Sequence, residues 1–108
     1  MSGSFEIREY LAGGRSPFAE WFNGLDAMTA ARVDRYIRRL EAGNFGAAKS
    51  LRDGVFELRL DFGAGYRVYY GREGRTIIIL LGGGSKRRQD ADITAAVERW
   101  KRYKQTKN

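Results

Sequence analysis

The stretch from Glu57 to Tyr70 restricts the fold more than any other part of the chain, because it reads as a β-hairpin with two differently equipped faces. Strict alternation puts Phe56, Leu58, Leu60 and Phe62 on one side, and Glu57, Arg59 and Asp61 on the other. After the glycine turn, Tyr66, Val68 and Tyr70 share one side, while Arg67 and Tyr69 share the opposite one. Matching apolar to apolar needs a loop of odd length, most simply Gly63 to Gly65, a three-residue turn with glycine where φ is positive. That register pairs Asp61 with Arg67 and Arg59 with Tyr69. The exposed face then carries two guanidiniums and a phenol on a stiff sheet, where an RNA phosphate can sit. The plainer alternative for Arg67 is a cross-strand ion pair with Asp61.

The flanking patterns predict strand, helix pair, meander, helix. Phe5 to Leu11 alternates as a strand and breaks at Gly13-Gly14. Ser16 suits a helix N-cap and Pro17 the first helical position, after which Phe18, Trp21, Phe22 and Leu25 make a core stripe. Asp26 can cap a second helix with Val33, Tyr36, Ile37 and Leu40 at the same spacing, stopped by Gly43. Asn44 to Gly54 reads as a loop carrying Lys49 and Arg52, and Gly71 to Gly74 as a polar turn. Thr76 to Leu81 is almost unbroken branched aliphatic, the mark of a strand inside a sheet, ended by Gly82 to Ser85. A last helix is expected from about Lys86 to Tyr103, with Ile93, Ala96, Val97, Trp100 and Lys104 inward. All of residues 1–108 form one domain in this reading, with 1–4 a frayed or appended start and 105–108 a basic tail.

Composition narrows the chemistry. With no histidine and no cysteine there is no imidazole base, no thiolate and no zinc site of the usual ligand types. Acid–base work near neutral pH falls to Lys, Tyr, Asp or Glu with shifted pKa values, or to a partner. The net charge of +7 favours polyanionic or acidic partners. Eight basic against three acidic residues lie between Ser85 and Asn108, so Arg87 and Arg88 and the helix behind them are candidates for RNA phosphates. The Gly82 to Lys86 run lacks the spacing of a nucleotide phosphate loop. No apolar run approaches a membrane span and no secretory leader is visible, so a cytoplasmic location is expected.

The segments Leu40 to Gly46, Glu57 to Tyr70, and Leu80 to Lys86 with Gln89 to Ile93, taken in order, resemble the RelE/ParE toxin superfamily, and within it the HigB-like branch of type II toxin–antitoxin systems. The resemblance implies an α+β fold, β-α-α-β-β-β-α, with a small antiparallel-rich sheet, all helices on one face and the working residues on the other. It implies a ribosome-dependent mRNA endonuclease that needs no metal or other cofactor, the ribose 2′-hydroxyl attacking the adjacent phosphorus. A helix-turn-helix, HigA-like antitoxin would be the partner, besides ribosome and mRNA. By this likeness Arg67 is the first choice for clamping phosphate and Arg59 the second. Lys86 and Lys49 match recurring basic positions, Tyr69 can stack on a base, and Gln89 can meet a base edge. The histidine common in such relatives has no counterpart here, so the general base stays open. The alternative is a ParE-like, non-enzymatic inhibitor of DNA gyrase, working through Arg32, Arg35, Arg38 and Arg39.

Overall fold

The computed structural model describes residues 4–107. In chain order the elements are β1 (Glu6–Glu9), α1 (Pro17–Asn23), α2 (Ala27–Glu41), β2 (Ala48–Ser50), β3 (Val55–Arg59), β4 (Arg67–Glu73), β5 (Ile77–Gly84), a 3-10 turn (Lys86–Arg88) and α3 (Gln89–Thr106). The strands form one mixed sheet in the order β1-β5-β4-β3-β2. β1 runs parallel to β5 and the other neighbours are antiparallel. The α+β expectation therefore holds, with one strand more than expected. β2 lies in the stretch read as a loop, because three residues with a single small apolar side chain give almost no alternation to detect. Of the expected frayed start, Ser4 precedes β1, and residues 1–3 lie outside the described residues, as does 108. The expected basic tail is partly helix, since α3 runs on through Gln105 and Thr106.

Local chemistry sets the helix starts. The Ser16 side chain accepts from the Ala19 amide at 3.0 Å, and Pro17 supplies the fixed φ of the first position. Asp26 accepts from the Thr29 amide at 3.2 Å and the Thr29 hydroxyl at 2.6 Å, which holds its carboxyl below the usual range. Gly43, at φ +88°, ends α2 and donates to the Leu40 carbonyl at 2.9 Å.

The sheet is covered on both faces, which corrects the expectation that all helices share one. Phe18, Val33, Ile37 and Leu40 from the helix pair pack on Leu58, Leu60, Val68, Tyr70, Ile78 and Leu80. Ala96 and Trp100 of α3 pack on the reverse face, with Tyr10, Val55, Tyr69, Ile79 and Leu81. The cause lies in β4 and β5, whose successive residues are apolar, so each face buries its own set. Two glycines read as turn or terminator sit inside these strands instead. A β-carbon on Gly71 would stand 2.6 Å from three atoms of the Trp100 ring, and one on Gly83 would strike Trp21. Their bare backbones let α3 and α1 approach the sheet.

The hairpin keeps its predicted parity but slides by two residues. Arg59 faces Arg67, Leu58 faces Val68, and Glu57 faces Tyr69, with Leu60 N–H donating to the Tyr66 carbonyl at 2.9 Å. The loop is longer than three residues because Phe62 leaves the strand. Its ring packs at 5.4 Å from Tyr66 and 6.2 Å from Tyr36, with the Arg32 guanidinium 4.5 Å above it. Aromatic burial outweighs two further ladder pairs.

Burial also sets the alkaline limit of the fold. It pushes the Tyr70 phenol up to about 12, and burial together with the hydrogen bond from its hydroxyl to Glu73 does the same for Tyr103. Tyr69 is raised further, by burial first and the nearby Glu57 charge second. The folded state thus keeps protons that an unfolded phenol, at its ordinary value of 10.0, would release. Stability should be full below pH 10.0 and fall as pH rises toward 12, with the phenolates of Tyr70 and Tyr103 appearing together with loss of helix. Phenolate assigned to Tyr70 or Tyr103 appearing near pH 10.0 in the intact fold would contradict this burial.

Candidate nucleic-acid interface

Two adjacent rows of paired residues cross the sheet on the α3 side. Lys49, Glu57, Tyr69 and Gly82 are in register along one row, and Arg59, Arg67 and Gly84 along the next. α3 enters above these rows by its first residue and then leaves them. The Gln89 amide donates to Glu57 at 2.8 Å, the Asp92 carboxylate lies against Gly84, and the Arg99 guanidinium donates to the Leu81 carbonyl at 2.9 Å. Further on, Trp100 sits on Gly71 and the Tyr103 hydroxyl donates to Glu73 at 2.6 Å. α3 touches β5 most, and on this face Lys49 of β2 and Arg59 at the end of β3 stay exposed.

Arg67, expected on an exposed face opposite Asp61, is only 4% exposed and pairs with Glu57, its Nε 3.5 Å from Oε2. Its Nη1 also donates to the Gly65 carbonyl at 2.6 Å. The reason is the shifted register together with the approach of the 3-10 turn: Lys86 N–H donates to the Ala64 carbonyl at 3.2 Å, and the Lys86 side chain flanks Gly65. Tyr69, expected to face a base, is fully buried under α3. Among the described residues, its hydroxyl and Arg67 Nε are buried with no hydrogen-bond partner. Gln89 is occupied by Glu57 rather than open to a base edge. The other candidates gather around this pair at the surface. Lys49 is exposed on β2 with its Nζ 3.9 Å from Glu57 Oε1. Arg59 is exposed on β3, and Lys86, Arg87 and Arg88 are exposed on the 3-10 turn, where they line an open depression with Gln89.

Glu57 is the residue the sequence reading missed as an organiser. It is 1% exposed and collects Arg67, Lys49 and Gln89. A carboxylate one pair deeper in the hairpin than Arg59 was the available signal, legible only with the correct register. Glu57 cancels the buried guanidinium and leaves the exposed cations as the net charge of the surface.

The helix-pair arginines are differently placed. Arg38 pairs with Asp34 and Glu41, Arg32 lies over Phe62, and Arg39 over Tyr36. Three of the four therefore have partners within the chain. No group of three or more His, Cys, Asp or Glu side chains placed to hold a metal occurs among the described residues. No helix among them is long and apolar enough to cross a membrane.

Fold and surface together define a small α+β protein that rings a buried Glu–Arg pair with exposed cations. Residues 20–103 match the profile of the family described as phage derived protein Gp49-like (DUF891), and the chain belongs to that family. It is also 48% identical over 80 residues to an uncharacterized protein of Haemophilus influenzae, the match covering 73% of this chain and 81% of the relative. The family match corrects the RelE/ParE, HigB-like resemblance, since Gp49-like proteins are a different family. Packing accounts for much of the segments that carried that likeness: Gly83 admits Trp21, and the hairpin supplies apolar residues to both cores.

Proposed function

We propose that the protein is a translation-arresting toxin that cuts mRNA, drawing the phosphodiester backbone onto Lys49, Arg59, Lys86, Arg87 and Arg88. The observation that carries this reading is the ring of exposed cations on this side of the sheet, held in place by strands and by the 3-10 turn. Attack of the 2′-hydroxyl on the neighbouring phosphorus puts negative charge on its non-bridging oxygens and expels the 5′-oxygen. Fixed guanidinium and ammonium groups stabilise that charge more than they stabilise the ground state. Arg59 is the catalytic candidate among them, because its planar fork reaches two phosphate oxygens at once. Arg67 takes a positioning role: paired with Glu57 and bonded to Gly65, it fixes the loop that brings Lys86 beside the hairpin. A protein of charge +7 calls for an acidic partner segment to silence it, which an antitoxin supplies. The gyrase alternative draws less support, since the arginines it requires are largely engaged within the chain.

Primer extension on a translated message, with and without ribosomes, tests the reading. Wild-type protein should cut only where ribosomes are present, and Arg59→Ala should cut about a hundredfold more slowly, the cost of one transition-state charge contact. Arg67→Ala is the wrong variant for this purpose, because it strands Glu57 and reports on folding. Supercoiling inhibition of purified gyrase with no cut message would replace the reading by its alternative.

A further inference from the structure

An open cleft of about 490 Å³ lies beside the cationic ring, within the range of about 300–1,000 Å³ usual for small-ligand sites. It exists because β1 stops opposite Leu80 while β5 continues to Gly84, so the last turn of β5 has no strand on that side. Trp21 and Tyr66 both line it, packed on each other with ring centroids 6.4 Å apart and planes inclined by 56°. Trp21 belongs to the apolar stripe of α1, yet it stays only partly buried. Asp92, held against Gly84, and Arg88 also line it. Among the described residues, the Asp92 carboxylate ends no side-chain hydrogen bond and no ion pair, in a chain with 20 Lys and Arg residues. Burial raises its pKa against the pull of Arg88 and Arg99. Its place in the first turn of α3 accounts for an acid there.

We propose that Trp21, Tyr66 and Asp92 form a guanine pocket that selects where RNA is cut, with Arg88 guiding the adjoining phosphate. The inference rests on the RNA-cutting reading above and adds a base to it. A carboxylate offers two acceptors side by side, and guanine is the standard base whose pairing edge presents two neighbouring donors, the ring N1–H and the exocyclic amino group. Adenine, cytosine and uracil each set an acceptor beside their donor and would face Asp92 with one repulsive contact. The aromatic side chains supply stacking to any base and so add affinity without choice.

Cut sites mapped by primer extension on ribosome-bound messages decide the matter. Wild-type protein should cut with guanine at one fixed position from the scissile bond, favoured about tenfold or more over other bases, as expected of a bidentate contact. Asp92→Asn should abolish the preference for guanine there and shift it toward adenine or cytosine, whose adjacent donor and acceptor match a carboxamide. Arg59→Ala should slow all sites alike. A message carrying inosine at the favoured position, which lacks only the exocyclic amino group, should be cut more slowly by the unaltered protein, a result that needs no variant to fold. Cutting without base preference, a guanine preference that survives Asp92→Asn, or equal cutting at inosine removes the pocket and leaves the nuclease reading standing. No cutting by wild-type protein on ribosomes removes both.

Discussion

Glu57→Ala should lower stability by about 3–5 kcal/mol, the usual cost of stranding one member of a buried ion pair. The Arg67 guanidinium would keep its hydrogen bond to Gly65 but lose the carboxylate it pairs with, at a site where it is 4% exposed. Gln89 would lose its acceptor at the start of α3, so that end of the helix should fray first. Against a total stability of about 5–15 kcal/mol for a domain of this kind, such a loss is large. Urea unfolding followed by far-ultraviolet circular dichroism measures it directly. The double variant Glu57→Leu with Arg67→Met should recover most of the loss, because removing both charges also removes their desolvation. A loss below about 1 kcal/mol in the single variant would place the pair among solvated surface bridges and contradict its burial.

Gly71→Val should also damage the fold. The added β-carbon alone would stand 2.6 Å from Trp100 Cδ2, Cε3 and Cζ3, in a ring that is 5% exposed and stacks at 5.4 Å on Tyr103. The indole has nowhere to turn, so α3 must lift from the sheet. Overpacking of this kind typically costs about 1–3 kcal/mol. Thermal unfolding should show the drop, and tryptophan fluorescence should shift red as Trp100 gains water. Gly71→Ala should show the same effect in weaker form. A valine variant as stable as wild type would mean that α3 does not rest on β4 as described.

How much of this was legible in the sequence depends on the range of the interaction that decides each feature. Ser16, Pro17 and Asp26 act within one helical turn, and their caps stand where the sequence put them. The parity of the hairpin was legible for the same reason, since alternation is a property of each strand alone. Its register was not. Phe62 gains more by packing on Tyr36 and Tyr66 than by staying in the strand, a contact between distant segments that no local pattern announces. That slip of two residues carried Arg67 from the expected partner Asp61 to Glu57, and from surface to interior. The second covered face was written in Ile77 to Leu81, whose unbroken apolar run requires cover above and below. The run was correctly read as an interior strand, but its consequence for α3 requires the whole topology. Lys49, Arg59, Lys86, Arg87 and Arg88 were legible as an exposed group because charge at a sheet end and in a turn stays in water whatever the register. Tyr69 and Gln89 were not, because what covers them is a helix from elsewhere in the chain.

The salt dependence of RNA binding tests the central claim most directly. A single-stranded RNA held by exposed cations releases bound counterions, and log K falls with log salt by about 0.7 for each phosphate neutralised. With Lys49, Arg59 and Lys86 all changed to alanine, the slope should become shallower by about 2 while the fold melts unchanged. An identical slope in the triple variant, or no salt-dependent binding by the wild-type protein, would contradict the claim that this ring of cations is where RNA is held.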